Sequence, residues 1–129
     1  MSGDFLLDTN IVVALFANDD AVIDNMEIAD RVFVSSTVIG ELFFGAYNSV
    51  RLDENIERVA GFVATSAVLS CDADTARSYG RIKSKLRVKG RPIPENDLWI
   101  AAIAEQYNLT LVSRDAHFND IEDLVIVAW

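Results

Sequence analysis

A single cysteine, Cys71, leaves this chain without an internal disulfide, and a single histidine, His117, leaves it poor in the ligands that zinc prefers. Cys71 follows the apolar pair Val68-Leu69 by two residues, where a small thiol at the edge of a core is the plain reading. No apolar run approaches the roughly 18 residues of a membrane span. The opening Met1-Ser2-Gly3-Asp4 lacks the basic stretch of a signal peptide, so a reducing cytoplasm is the expected compartment. Low-complexity tracts, internal repeats and Pro/Gly/Ser-rich linkers are missing as well. One domain over residues 1–129 is therefore expected, long enough to bury a real core.

Bases are scarce too. The net charge is −9, which argues against a protein that coats nucleic acid indiscriminately. Their distribution is uneven. Seven of the eleven basic residues (Arg77, Arg81, Lys83, Lys85, Arg87, Lys89 and Arg91) fall in one stretch that holds no acid. Tyr79, Ile82 and Leu86 recur there at helical spacing, so the stretch reads as an amphipathic helix. A solvated face and a surface that meets phosphates, through Arg81, Lys85, Arg87, Lys89 and Arg91, are both open at this point.

What is abundant is apolar: 51% of the residues, a fraction that suits a sheet covered on both faces. Strand-like runs appear at Asp4–Leu7, Val32–Ser35, Ala67–Ser70, Thr110–Ser113 and Leu124–Val127. Helical patterns fill the intervals at about 9–17, 20–30, 37–49, 53–65, 72–89 and 95–107. Pro94 stands just before or at the start of the last helix, where a missing N–H costs nothing. Strands alternating with helices predict an α/β fold, with a parallel sheet of about five strands between helical layers.

Four acids sit where such a fold gathers its ligands. Asp8 ends the run Phe5-Leu6-Leu7, and Asp115 follows Leu109-Thr110-Leu111-Val112-Ser113. Glu41 interrupts Val38-Ile39-Gly40 and Leu42-Phe43-Phe44, while Asp97 opens the apolar helix Leu98-Trp99-Ile100-Ala101-Ala102-Ile103. In a parallel sheet the ends of strands and the starts of the following helices share one edge, so all four converge there. Taken singly, Asp8 could cap a helix, Asp97 could complement a helix dipole and Asp115 could begin a turn. Together they need partners. Two carboxylates about 5 Å apart repel by roughly 3 kcal/mol at an effective dielectric near 20.

Oxygen ligands of this kind suit Mg²⁺ or Mn²⁺, which activate water and neutralise charge on a phosphodiester. Thr9, Asn10 and Ser113 are candidates to orient the carboxylates or their waters. His117 reads as a packing or hydrogen-bonding residue rather than a ligand. Phe43, Phe44 and Tyr47 form a bulky stripe that suits a core or an interface better than a base-stacking platform.

Four segments then carry a resemblance. Leu6-Leu7-Asp8-Thr9-Asn10, Ser36-Thr37-Val38-Ile39-Gly40-Glu41-Leu42, Pro94-Glu95-Asn96-Asp97-Leu98-Trp99-Ile100-Ala101-Ala102 and Val112-Ser113-Arg114-Asp115-Ala116-His117-Phe118 resemble, in order, the PIN-domain ribonucleases, and in size the VapC-type toxins of toxin–antitoxin pairs. The resemblance spans nearly the whole chain. It implies a PIN-like α/β/α sandwich and a Mg²⁺- or Mn²⁺-dependent endoribonuclease. Asp8, Glu41, Asp97 and Asp115 would form the catalytic metal site, with Thr9 and Ser113 as its hydroxyl neighbours. It also implies a homodimer and a small antitoxin whose C-terminal segment covers the active-site groove, often with a basic side chain in the acidic pocket. Some relatives carry a further acid near His117, and here the nearest substitute is Asp120.

Rival readings fit less well. A receiver-type signalling module expects adjacent acids after its first strand and a lysine at its last, whereas this chain has Asp8-Thr9-Asn10 and no lysine from Leu124 to Trp129. A haloacid-dehalogenase-like phosphatase expects an acid where Asn10 stands. A non-catalytic binding protein of the same fold remains the alternative to an enzyme.

Overall fold

The computed structural model describes residues 3–129. Five short strands, β1 (Asp4–Leu7), β2 (Arg31–Ser35), β3 (Ala67–Leu69), β4 (Thr110–Val112) and β5 (Ile126–Val127), form one sheet in the order β3-β2-β1-β4-β5. Every pairing is parallel. Leu6 and Leu7 of β1 and Leu111 and Val112 of β4 have no solvent exposure. Consecutive apolar residues rather than alternating ones are what a sheet buried on both faces requires.

Helices fill the connections in pairs. α1 (Thr9–Phe16) and α2 (Asp20–Ile28) join β1 to β2, and α3 (Ser36–Tyr47) and α4 (Leu52–Ala64) join β2 to β3. α5 (Ala73–Lys89) and α6 (Glu95–Gln106) then carry the chain from β3 at one edge back across to β4. Because parallel crossovers are right-handed, this reversal puts α5 and α6 on the face opposite α1–α4. The result is the three-layer α/β/α sandwich expected from the sequence.

Side-chain acceptors set the helix starts. Asp8, Asp19, Ser35 and Asp72 each accept a backbone N–H at the first turn of α1, α2, α3 and α5, and Asp72 and Thr75 complete a reciprocal capping box. Gly90, with φ of 68°, closes α5 in the left-handed region that glycine tolerates. Pro94 occupies the cap position of α6 itself and offers no side-chain bond, so the acids Glu95 and Asp97 face that helix's positive end. No helix among the described residues is long and apolar enough to cross a membrane.

α6 is the most deeply placed helix. Leu98 and Ile100 through Ala104 are all buried, on every side of the helix rather than along one stripe. It packs against α5, α3 and β4 and against a short 3-10 turn over Ala116–Asp120 that links β4 to β5. That turn is absent from the sequence reading. Phe118, fully buried between exposed His117 and Asn119, pins it to the core. We expect Ile100→Ala to cost about 2–5 kcal/mol of stability, the range for deleting a buried aliphatic side chain, read from the midpoint of denaturant unfolding. A loss below about 1 kcal/mol would contradict the central place of α6.

Candidate metal centre

The parallel sheet brings the expected acids to one edge. Asp8 is the first residue beyond β1 and the cap of α1; Asp115 caps the 3-10 turn beyond β4. Asp97 lies in the first turn of α6, and Glu41 in the second turn of α3.

Asp8 is only 5% exposed and is held from two sides. The Thr9 backbone N–H donates to its Oδ1 at 2.8 Å, and the Ser113 hydroxyl donates to its Oδ2 at 2.6 Å. Ser113 Oγ in turn accepts the Asp115 backbone N–H at 3.0 Å, so one hydroxyl ties the ends of β1 and β4 together. Across the site, His117 Nδ1 lies 3.0 Å from Asp97 Oδ2 and 3.1 Å from Asp115 Oδ1. Asp115 Oδ1 also accepts the His117 backbone N–H at 2.9 Å. Asp97, Asp115 and His117 offer donor atoms that all lie within 4.8 Å of one another.

Charge confirms the proximity. Burial pushes the Asp8 carboxyl above the usual carboxylate range, against the opposing bonds from Ser113 and Thr9, and Asp115 pushes it the same way. Burial likewise raises Asp97; His117 holds it down in part, while Asp8 and Asp115 raise it further. The hydrogen bond that its ring donates to Asp97 is the main reason that His117 stands above its ordinary value. Asp8 therefore feels the charge of Asp115, and Asp97 that of both. Carboxylates with oxygens this close and no lysine or arginine among their bonded partners fit a hard divalent cation.

The remaining sequence candidates divide. Glu41 Oε1 accepts the Thr9 hydroxyl at 2.8 Å, and the Thr9 N–H bonds Asp8, so Thr9 links Glu41 to Asp8. Asn10 hydrogen-bonds no carboxylate among the described residues: its Oδ1 accepts the Arg114 N–H at 3.4 Å and steadies the loop that carries Asp115. Arg114 itself is tied to Asp19 at 3.0 Å and to the Trp129 carbonyl at 2.8 Å. Asp120 does not substitute for the missing acid. It lines a cleft with Arg81, Lys85 and Glu105, outside the acidic group. His117, read from the sequence as a packing or hydrogen-bonding residue, does hydrogen-bond, but its partners are the site's own acids.

The basic run is partly spent within the fold. Arg81 pairs with Glu105, Lys83 with Glu95 at 2.6 Å, and Lys89 with Glu122 at 2.9 Å. Lys85, Arg87 and Arg91 are exposed and in no ion pair among the described residues. Lys89 also donates to the carbonyl of Asp120, so the C-terminal end of α5 lies beside the turn that carries His117. On the other side a groove of about 200 Å³ leads away from Thr9 and Glu41 between α1, α3 and α4, walled by Val13, Phe16, Leu42 and Val59.

Residues 5–124 match the PIN domain. The chain belongs to the PIN-domain family. Among its relatives, Ribonuclease VapC2 of Rickettsia felis is 31% identical over 130 residues, 97% of each chain. The tRNA(fMet)-specific endonuclease VapC of Shigella flexneri is 32% identical over 113 residues, 86% of each. The crystal structure of VapBC2 from Rickettsia felis, bound to a DNA fragment from its promoter, contains a chain that superposes with a TM-score of 0.91 at 30% identity over 98% of both chains. This PIN domain is thus similar to VapC proteins over nearly its whole length.

Raised values mean that the folded PIN domain holds protons on Asp8, Asp97 and His117 more tightly than the unfolded chain does. Each contribution to stability is present at low pH and is lost as pH rises through the folded-state value. In metal-free protein, Asp97→Asn should therefore gain thermal stability relative to the parent as the pH is raised from mildly acidic to mildly alkaline. A difference in melting temperature that stays flat or narrows over that range would contradict the assigned electrostatics.

Proposed function

We propose that this PIN domain, spanning residues 1–129, is a divalent-metal-dependent endoribonuclease and the toxin of a toxin–antitoxin pair in the cytoplasm. The observation that carries the reading is the convergence of Asp8, Asp97 and Asp115 at one edge, in a chain alike over 97% of its length to a ribonuclease.

Asp8, Asp97 and Asp115 would hold Mg²⁺ or Mn²⁺, and Glu41 would complete the site or position water. The ion, when bound, activates water and neutralises charge on the phosphodiester. This chain's own residues do the positioning. The Ser113 hydroxyl and the Thr9 N–H hold the Asp8 carboxylate in one orientation, and the Thr9 hydroxyl fixes Glu41. Asn10 and Arg114 keep the Asp115 loop in register with α1. Water attacking in line on phosphorus would break the P–O3′ bond and leave a 5′-phosphate and a protonated 3′-hydroxyl.

RNA is guided by the basic end of α5. Lys85, Arg87 and Arg91 are free to meet phosphates, whereas Arg81 and Lys89 must first leave Glu105 and Glu122. The antitoxin covers the groove beside Glu41, with apolar side chains against Val13, Phe16, Leu42 and Val59 and a basic one toward the acids. We also infer that the active form is a homodimer.

The test is cleavage of a mixed RNA pool by antitoxin-free protein, with Mg²⁺ or Mn²⁺ against EDTA, beside Asp97→Asn. We expect cutting that needs the metal and falls about 100-fold or more in the variant, as befits loss of a group serving a charged transition state. Cutting that survives EDTA, or a variant as fast as its parent, would overturn the reading.

A further inference from the structure

The position of His117 is not accounted for by holding Asp97 in place. Its ring stands on a short turn at the rim, half exposed, with Nδ1 3.0 Å from Asp97 Oδ2 and 3.1 Å from Asp115 Oδ1. Neighbouring donors in an octahedral site with metal–ligand distances near 2.1 Å are separated by about 3.0 Å. The imidazole nitrogen thus already has the spacing of a ligand that shares an ion with both carboxylates, and the three donor atoms cluster within 4.8 Å. A histidine serving only as a hydrogen-bond partner needs one acceptor at that atom; this one is equidistant from two on separate elements, α6 and the 3-10 turn.

We propose that His117 is a metal ligand, so that the site combines carboxylate oxygens with one imidazole nitrogen and favours Mn²⁺ over Mg²⁺. The inference rests on the metal-dependent reading above and deepens it. Its chemical basis is the donor set. Mg²⁺ binds oxygen almost exclusively, whereas imidazole suits transition metals, so a single nitrogen raises affinity for Mn²⁺ and does little for Mg²⁺. Two structural features permit the role. Phe118, fully buried, anchors the backbone on one side of His117, and Asp115 caps its N–H, so the ring is presented by a fixed turn rather than by a loose loop. The exposed ring also turns about its own side-chain torsions without moving the core.

The experiment is electron paramagnetic resonance of Mn²⁺ added to the full chain and to His117→Asn, with Mg²⁺ as competitor. The exposed position of His117 lets the variant fold, which its thermal transition verifies. We expect wild-type-bound Mn²⁺ to show hyperfine coupling to a nitrogen nucleus that the variant lacks. We also expect Mn²⁺ affinity to fall about tenfold in the variant while the competing affinity of Mg²⁺ changes far less. Bound Mn²⁺ without nitrogen coupling, or equal losses for both ions, would overturn the role of His117 and leave the carboxylate site standing. A wild-type chain that binds neither ion would instead overturn the metal-dependent reading itself.

Discussion

Repulsion among Asp8, Asp97 and Asp115 is the interaction on which the rest of the structure depends. Each acid could be accommodated alone. Asp8 satisfies both its oxygens through Thr9 and Ser113, and Asp115 caps a turn. Hydrogen bonds do not remove charge, however. Burial and mutual proximity still leave Asp8 and Asp97 with raised proton affinity. Among the described residues one partial counter-charge, His117, meets these acids, and no lysine or arginine bonds them. A proton or a cation relieves such a site, and the proposed chemistry takes the cation.

The scaffold tolerates the deficit because its core is placed directly beneath. β1 and β4 are adjacent in the centre of the sheet, so Asp8 and Ser113 leave neighbouring strand ends already in register. α6 carries Asp97 on its first turn and then buries six of the next seven residues. Phe118 does the same for the turn that bears Asp115 and His117. In each case a polar residue at the rim is followed within a turn by apolar anchors, so the acids have little freedom to move apart. Stability stored in the core offsets repulsion at the edge.

Much of this arrangement was legible in the residues. Apolar runs gave β1 through β4 and all six helices to within one or two residues, because long periodic patterns report burial directly. The last strand is shorter than expected: Leu124 and Val125 precede a β5 of two residues, and such an edge strand has too few positions to show a pattern. The 3-10 turn escaped because five residues make no helical period. The partners of His117 escaped with it, although its reading as a hydrogen-bonding residue agrees with the structure, since one of them, Asp97, lies 20 residues away in the chain. Charge pairing was equally invisible. Nothing near Arg81 announces Glu105, and nothing near Lys89 announces Glu122, so the basic stretch looked freer than the fold leaves it. Composition locates a site; tertiary contacts decide which of its members touch.

The most direct test of the central claim is anomalous X-ray diffraction from crystals of the antitoxin-free chain soaked in Mn²⁺. A single dominant anomalous peak is expected within bonding distance of Asp8, Asp97 or Asp115 oxygens, at the rim between β1 and β4. Full occupancy elsewhere, or no peak at saturating Mn²⁺ in a crystal whose rim is open to solvent, would contradict it.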